Sequence, residues 1–221
     1  MNKPTLLIAP SLLTADFLEL GKAVRMINRS EADRFHLDIM DGRFVPNISF
    51  GMPVVARIKT LASKPLEVHL MIEEPERYAE AFRKAGADCL IVHYEACIHL
   101  HRNLQQIHSL GMKAGVAINP HTPVALLSDI ISQADLVTIM SVNPGFGAQQ
   151  FISHTLEKIG QVSRLIRDTG ASVQIEVDGG IDFKNAASVI NAGAQVLVTG
   201  NTVFSSKDPV AAIRRLRALR N

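Results

Sequence analysis

Short apolar runs recur along the chain, separated by segments in which apolar residues repeat with a helical period. The short runs are typical of buried β-strands, whereas segments such as "EEPERYAEAFRKAGA" and "HTLEKIGQVSRLIRDTGA" predict helices that end at a glycine. The predicted strands are residues 5–11, 34–40, 66–71, 89–94, 113–119, 136–142, 172–178 and 195–200. The pattern therefore predicts eight strands alternating with eight helices.

This alternation lacks hairpin signals, so it predicts parallel strands joined by right-handed crossovers. Eight such units in 221 residues fit an α/β fold of the (β/α)8 TIM-barrel type. An open doubly wound sheet is the alternative, but "PSLLTADFLELG" after the first strand lacks its phosphate-binding glycine fingerprint. No linker or composition shift divides the chain, and we expect a single domain over residues 1–221.

The second predicted strand carries polar residues on one face only. In "FHLDIMDG", the period of 2 puts His36, Asp38 and Met40 on one face and Leu37 and Ile39 on the other. The carboxyl ends of the strands form the active site of a barrel. We therefore expect Leu37 and Ile39 to face the helices, and His36 and Asp38 to face the mouth.

Two other strands end in residues of the same chemical types, His69 in "LEVHLM" and Asp178 in "IEVDGG". Two histidines and two carboxylates suit a divalent metal site, with zinc the first choice and manganese, iron and cobalt left open. His93 also ends a strand and is interpreted as structural. Asp41 is interpreted as a turn residue, followed by the permissive Gly42.

Glycine-rich loops follow the last three predicted strands: "SVNPGFGAQQF", "VDGGID" and "VTGNTVF". Glycine lets backbone N–H groups approach an anion, and barrels commonly bind phosphate at the seventh and eighth loops. Metal and phosphate together indicate a phosphosugar reaction in which negative charge develops on oxygen. Asp38 and Asp178, on different strands, could remove and return a proton on opposite faces and so invert a stereocentre.

The sequence resembles the ribulose-phosphate 3-epimerase family over nearly its whole length. The matching motifs, in the family's order, are "IAPSLLTADFLELG", "FHLDIMDGRFVPN", "EVHLMIEEPERY", "VNPGFGAQQF", "EVDGGI" and "AGAQVLVTGNTVF". The resemblance implies a (β/α)8 barrel that interconverts D-ribulose 5-phosphate and D-xylulose 5-phosphate with one divalent metal ion. It also implies a homo-oligomer.

The resemblance assigns roles residue by residue. His36, Asp38, His69 and Asp178 correspond to the family's metal ligands, with Asp38 as the proton acceptor and Asp178 as the donor. The substrate contacts it implies are Ser11, His69, Gly145, Phe146, Gly147, Ala148, Asp178, Gly179, Gly180, Gly200 and Asn201. The methionines that resemble those near the reacting carbon are Met40, Met71 and Met140.

Three residues depart from the family pattern. Arg43 stands where a histidine is frequent and could alter the loop over the site or its charge. Ala148 replaces a usual glycine, so a positive φ there would strain the phosphate loop. Asn201 replaces a usual serine, which would change a side-chain hydrogen bond but preserve a backbone contact. None of the three is a metal ligand.

Composition and charge exclude several other classes of protein. The net charge of +2 argues against a nucleic-acid partner, and no apolar run reaches the roughly 18 residues of a membrane span. The first residues lack the pattern of a signal peptide, and Cys89 and Cys97 are interpreted as free thiols. We therefore expect a cytoplasmic protein.

Three other functions are alternatives to the one that the resemblance implies. An epimerase for a six-carbon substrate such as D-allulose 6-phosphate shares the metal-binding motifs, although "SVNPGFG" and "VDGGID" resemble the five-carbon enzyme more. Phosphosugar decarboxylases of related barrels carry D-x-K-x-x-D at a strand end, but "DIMDG" has no lysine. A non-catalytic sugar-phosphate-binding barrel would not need both Asp38 and Asp178.

Overall fold

The computed structural model describes residues 6–220, in which eight strands form one parallel sheet. The strands are β1 Leu7–Pro10, β2 Phe35–Met40, β3 Leu66–Met71, β4 Cys89–His93, β5 Lys113–Ile118, β6 Leu136–Met140, β7 Gln174–Asp178 and β8 Val196–Thr199. Their order is β1-β8-β7-β6-β5-β4-β3-β2, and a parallel bridge between Ser11 and His36 joins β1 to β2. This arrangement confirms the predicted barrel.

The strand boundaries lie within two residues of those predicted from the apolar runs, wherever the structure describes them. The predicted start of the first strand at residue 5 lies outside the described residues. The agreement follows from the burial of the strand interiors, because both faces of a barrel strand are covered and most of its residues are apolar.

The helices are α1 Leu20–Arg29, α2 Met52–Lys59, α3 Ala79–Ala85, α4 Leu100–Ser109, α5 Thr155–Thr169, α6 Ala186–Ala192, α7 Asn201–Phe204 and α8 Pro209–Arg217. The glycine stops after α3 and α5 are confirmed, since Gly86 and Gly170 have φ of 105° and 68°.

The expected regular alternation of strand and helix is wrong at two places. Two 3-10 turns, Val124–Leu127 and Ile131–Gln133, join β5 to β6, while β8 is followed by both α7 and α8. The β5–β6 segment contains two prolines and a Ser128–Asp129 pair, which favour turns over a continuous helix. The short α7 places its first residue, Asn201, at the mouth of the barrel.

The core has two main parts, as expected for a barrel. Leu37 and Ile39 belong to the large cluster between the strands and the helices, which confirms the predicted faces of β2. A smaller cluster inside the barrel is formed by Leu7, Ala9, Cys89, Ile91, Ala117, Leu136, Val196 and Val198. No helix in residues 6–220 combines the length and apolar character needed to cross a membrane.

Candidate metal centre and active site

Four polar side chains from three strands meet at the carboxyl end of the barrel. His36 and Asp38 come from β2, His69 from β3, and Asp178 ends β7. One potential ligand atom from each lies within 4.8 Å of all the others. The period of the strands points these side chains inward, and barrel closure brings the strands together.

The two carboxylates each face both histidines. Oδ1 of Asp38 lies 3.3 Å from Nε2 of His36 and 3.2 Å from Nδ1 of His69. Oδ2 of Asp178 lies 3.6 Å and 3.4 Å from the same two nitrogens. Two imidazole nitrogens and two carboxylate oxygens converging in this way fit the donor chemistry of a divalent transition metal.

In the absence of a cation, attraction between the charged side chains of His36 and Asp38 stabilises the cluster. Burial lowers the pKa of His36, but the charge of Asp38 and hydrogen bonds to Asp38 and Glu67 outweigh it and raise the pKa well above its ordinary value. Burial likewise raises the pKa of Asp38, and the charge of His36 overcomes it and holds that pKa well below its ordinary range. A cation would replace this stabilisation of the carboxylates.

His36 also contacts a buried carboxylate, that of Glu67. Its Nδ1 lies 3.0 Å from Oε1 of Glu67, and Oε2 of Glu67 is paired with Arg34. Burial raises the pKa of Glu67, but hydrogen bonding to His36 and the charge of Arg34 lower it to about 2. Burial and the charge of Glu67 together raise the pKa of nearby Glu176 well above its ordinary value. Glu67 is therefore the ionised carboxylate behind His36.

His69 contacts His93, the strand-end histidine for which the sequence predicts a structural role. Nε2 of His69 lies 2.9 Å from Nε2 of His93, and both side chains are fully buried. Nδ1 of His93 lies 3.3 Å from Oε2 of Glu95. The position of His93 at the end of β4 was the available signal, but its contact depends on the packing of β3 against β4.

A pocket opens above the four-residue cluster, lined by Ser11, Asp38 and Asp178 among others. The three methionines expected near the reacting carbon, Met40, Met71 and Met140, also line it. His36 and His69 are fully buried and do not line this pocket, although a substrate contact was expected for His69. The cluster therefore presents mainly its carboxylates to the pocket.

The glycine-rich loops also line this pocket. The lining residues from these loops include Gly145, Phe146, Gly147, Ala148, Gly179, Gly180, Gly200 and Asn201. Thr14, which sequence reasoning did not single out, contacts two of these loops. A Cβ at Gly147 would lie 2.6 Å from Cγ2 of Thr14, and a Cβ at Gly200 would lie 2.8 Å from its Oγ1. A side chain at either glycine would therefore require the Thr14 side chain to move.

Two of the three departures from the family pattern, Ala148 and Asn201, line the pocket. Ala148 has a φ of 56°, so the left-handed conformation considered from the sequence is present. Arg43 is exposed and forms a 3.0 Å ion pair with Glu73. Asp41 is confirmed as the turn residue, because its Oδ1 accepts hydrogen bonds from the N–H groups of Arg43 and Phe44. Gly42 has a φ of 73°.

Comparisons with known proteins show the family of this chain. A model of the "Ribulose-phosphate 3 epimerase family" matches residues 7–204. The chain is 49% identical over 211 residues to ribulose-phosphate 3-epimerase of Bacillus subtilis, covering 95% of this chain and 97% of that protein. It is 47% identical over 219 residues to the chloroplastic ribulose-5-phosphate-3-epimerase of Arabidopsis thaliana, covering 98% of this chain and 78% of that protein.

The fold is also shared with more distant proteins. A crystal structure of 3-hexulose-6-phosphate synthase superposes with a TM-score of 0.68 at 20% identity, covering 97% of this chain and 99% of that one. This likeness concerns the barrel alone. The family match and the two relatives cover nearly the whole chain, and the chain therefore belongs to the ribulose-phosphate 3-epimerase family of carbohydrate epimerases.

Proposed function

We propose that this chain interconverts D-ribulose 5-phosphate and D-xylulose 5-phosphate, with His36, Asp38, His69 and Asp178 holding one divalent metal ion, preferably zinc. The observation that carries the proposal is the pairing of Asp38 and Asp178 in one pocket. Strands β1 and β8 lie between β2 and β7 in the closed barrel, so the two carboxylates approach the pocket from different sides. Epimerisation needs an acid and a base on opposite faces of the carbon.

In the proposed reaction, Asp38 accepts the proton from C3 of ribulose 5-phosphate. The electrons of the broken C–H bond form an enediolate, and Asp178 donates a proton to C3 on the opposite face. In the reverse direction the two aspartates exchange roles. A divalent cation bound by the four residues would stabilise the negative charge that develops on the substrate oxygens.

The chain's own residues orient the substrate for this transfer. The Ser11 hydroxyl donates a 2.5 Å hydrogen bond to Oδ2 of Asp38 and so fixes the carboxylate. The loops that contain Gly145, Gly179 and Gly200 line the same pocket as the two aspartates and can bind the phosphate through backbone N–H groups. Binding of the phosphate at one end fixes the position of C3 at the other.

Isotope exchange tests the proposed reaction. The chain, loaded separately with zinc, manganese, iron or cobalt, is incubated in D₂O with ribulose 5-phosphate and, in parallel, with allulose 6-phosphate. We expect deuterium at C3 and formation of xylulose 5-phosphate. Faster exchange of the six-carbon substrate would assign the chain to the allulose 6-phosphate epimerases, and no exchange of either substrate would refute the proposal.

Substitution of the proposed acid gives a second test. We expect Asp178→Asn to abolish turnover, with the bound metal measured alongside because Asp178 is also a proposed ligand. Asp208→Asn is the matched control, since Asp208 is not among the residues that line the pocket and its Oδ1 accepts a hydrogen bond from the N–H of Ala211 at the start of α8. Unchanged turnover in Asp178→Asn would exclude its role.

A cytoplasmic location and a homo-oligomeric assembly stay predictions.

A further inference from the structure

The two histidines of the proposed metal site differ in the residue that contacts their second ring nitrogen, the one that does not face the carboxylates of the site. His36 contacts the buried carboxylate of Glu67 directly, at 3.0 Å. His69 contacts a second histidine, His93, which in turn contacts Glu95. Each series of contacts ends at a carboxylate. The series from His69 through His93 to Glu95, which we call the second path, contains one additional imidazole.

Proton positions along this second path follow from the contacts. Nδ1 of His69 faces the metal-binding carboxylates, so it must be unprotonated to bind a cation, and the ring proton lies on Nε2. That N–H then donates to Nε2 of His93 across 2.9 Å. Nε2 of His93 is therefore the acceptor, and its Nδ1–H donates to Oε2 of Glu95.

Glu95 is itself fixed in orientation. Its Oε1 accepts a 2.8 Å hydrogen bond from the N–H of Asn119 and a second hydrogen bond from the hydroxyl of Thr122. Only Oε2 is directed at His93. The ring of His93 is fully buried and packs on Phe44, with a centroid distance of 4.7 Å. The orientation of the whole path is thus determined from the Glu95 end.

We propose that His93 and Glu95 are positioning residues that set the tautomer and orientation of His69 for metal binding. The inference rests on the proposed metal function of His69. Partners of this kind typically change metal affinity by 10–100-fold when they are removed, without contacting the metal or the substrate. The predicted effect therefore falls on the metal dissociation constant of the chain.

Two substitutions interrupt the path at different points. His93→Leu removes the acceptor for the His69 N–H and keeps an apolar side chain in the buried position. Glu95→Gln replaces one oxygen by an NH₂ group. Because Asn119 requires an acceptor, the amide oxygen takes the Oε1 position and the NH₂ group faces His93. The NH₂ group would donate to Nδ1 of His93 and favour the tautomer that carries its proton on Nε2. The Nε2–H groups of His69 and His93 would then face each other.

Conservative and remote variants serve as controls. His93→Gln offers an amide oxygen near the position of Nε2 and an NH₂ group toward Glu95, so we expect it to rescue part of the affinity. His108→Leu removes a different histidine–carboxylate contact, the 2.8 Å pair with Asp135 outside the barrel, and should leave metal affinity unchanged. Both controls report on the specificity of the effect.

The experiment measures Zn²⁺ and Co²⁺ affinities by competition with a chromophoric chelator. The absorption spectrum of the bound Co²⁺ and the thermal stability of the metal-free chain are recorded as well. We expect His93→Leu and Glu95→Gln to bind 10–100-fold more weakly than the parent chain and to alter the Co²⁺ spectrum. A purely structural role would lower the stability of the metal-free chain and leave affinity and spectrum unchanged.

The possible failures are distinguishable. If the parent chain binds metal and both variants bind it within twofold of the parent, the positioning role is refuted and the proposed metal site stands. If the parent chain does not bind either metal, the proposed metal function is refuted together with this inference. If His93→Leu does not fold, Glu95→Gln decides alone, because it differs from the parent side chain by a single atom.

Discussion

The Ser11 hydroxyl donates a hydrogen bond of 2.5 Å to Oδ2 of Asp38, across the seam where β1 meets β2. Oδ1 of the same carboxylate faces His36 and His69. The two oxygens of Asp38 therefore have different partners. A substitution at Ser11 can remove one partner and leave the other in place.

We expect Ser11→Ala to lower kcat by 10–100-fold with little loss of bound metal. A hydrogen bond to a charged group contributes about 1.5–3 kcal/mol, which corresponds to this range. Steady-state kinetics and metal analysis of the same preparation check the prediction. Ser49→Ala is the control, because the Ser49 hydroxyl donates to the backbone carbonyl of Asp38 and not to its carboxylate. Equal kcat values for Ser11→Ala and the parent would contradict the role of Ser11.

The left-handed Ala148 predicts a stabilising substitution in the loop after β6. At a φ of 56°, Ala148→Gly removes the steric cost of the Cβ, and the greater freedom of glycine in the unfolded chain offsets part of the gain. We expect the free energy of unfolding to rise by about 0.5–1 kcal/mol, measured by urea denaturation. Ala148→Val should lower it, since a β-branched side chain tolerates this conformation poorly. The reverse order would refute this account of the loop.

Gly180 is predicted to be essential for the shape of the phosphate-binding loops. It has a φ of 63°, and a Cβ there would lie 2.8 Å from the backbone nitrogen of Phe151 and 2.9 Å from the carbonyl oxygen of Gln149. Because backbone atoms cannot move without the loop, we expect Gly180→Ala to raise the KM for the phosphosugar at least tenfold. The measurement is initial-rate kinetics over a range of substrate concentrations.

Gly160→Ala is the matched control for this substitution. Gly160 lies within α5, and a Cβ there would have no neighbour within 4 Å among the described residues. We expect an unchanged KM and a gain in stability of about 1 kcal/mol, because alanine has the higher helix propensity. A similar rise in KM for both variants would show that the effect of Gly180→Ala is not specific to the loop.

The two cysteines are predicted to be poor nucleophiles. Burial raises the pKa of Cys97 to about 12 and the pKa of Cys89 well above its ordinary value. The thiolate is the reactive form, so at pH 8 about one Cys97 thiol in ten thousand is reactive. We expect iodoacetamide to modify Cys97 tenfold faster for each unit of pH between 8 and 11. Both thiols should react readily in guanidinium chloride, and a rate that levels off near pH 9 would contradict the raised pKa of Cys97.

Local periodicity was enough to predict most of the fold. The eight strands, the inward face of β2 and the glycine stops after α3 and α5 depend on residues close in sequence, and all agree with the structure. The connection from β5 to β6 was predicted less well. Its two prolines and the Ser128–Asp129 pair favour the two short turns that the structure has, and the expectation of a regular alternation did not include this local signal.

The sequence by itself determined which residues end each strand and which chemistry they carry. Their position at the carboxyl ends of barrel strands already predicted that they share one rim, and only the tertiary structure decided which atoms contact one another. Asp38 and Asp178 are 140 positions apart, and they face the same two histidines because the barrel closes with one particular strand register. The same register sets His93 against His69 and Glu67 against His36. Such contacts depend on the relative heights of neighbouring strands, a property that no single strand encodes.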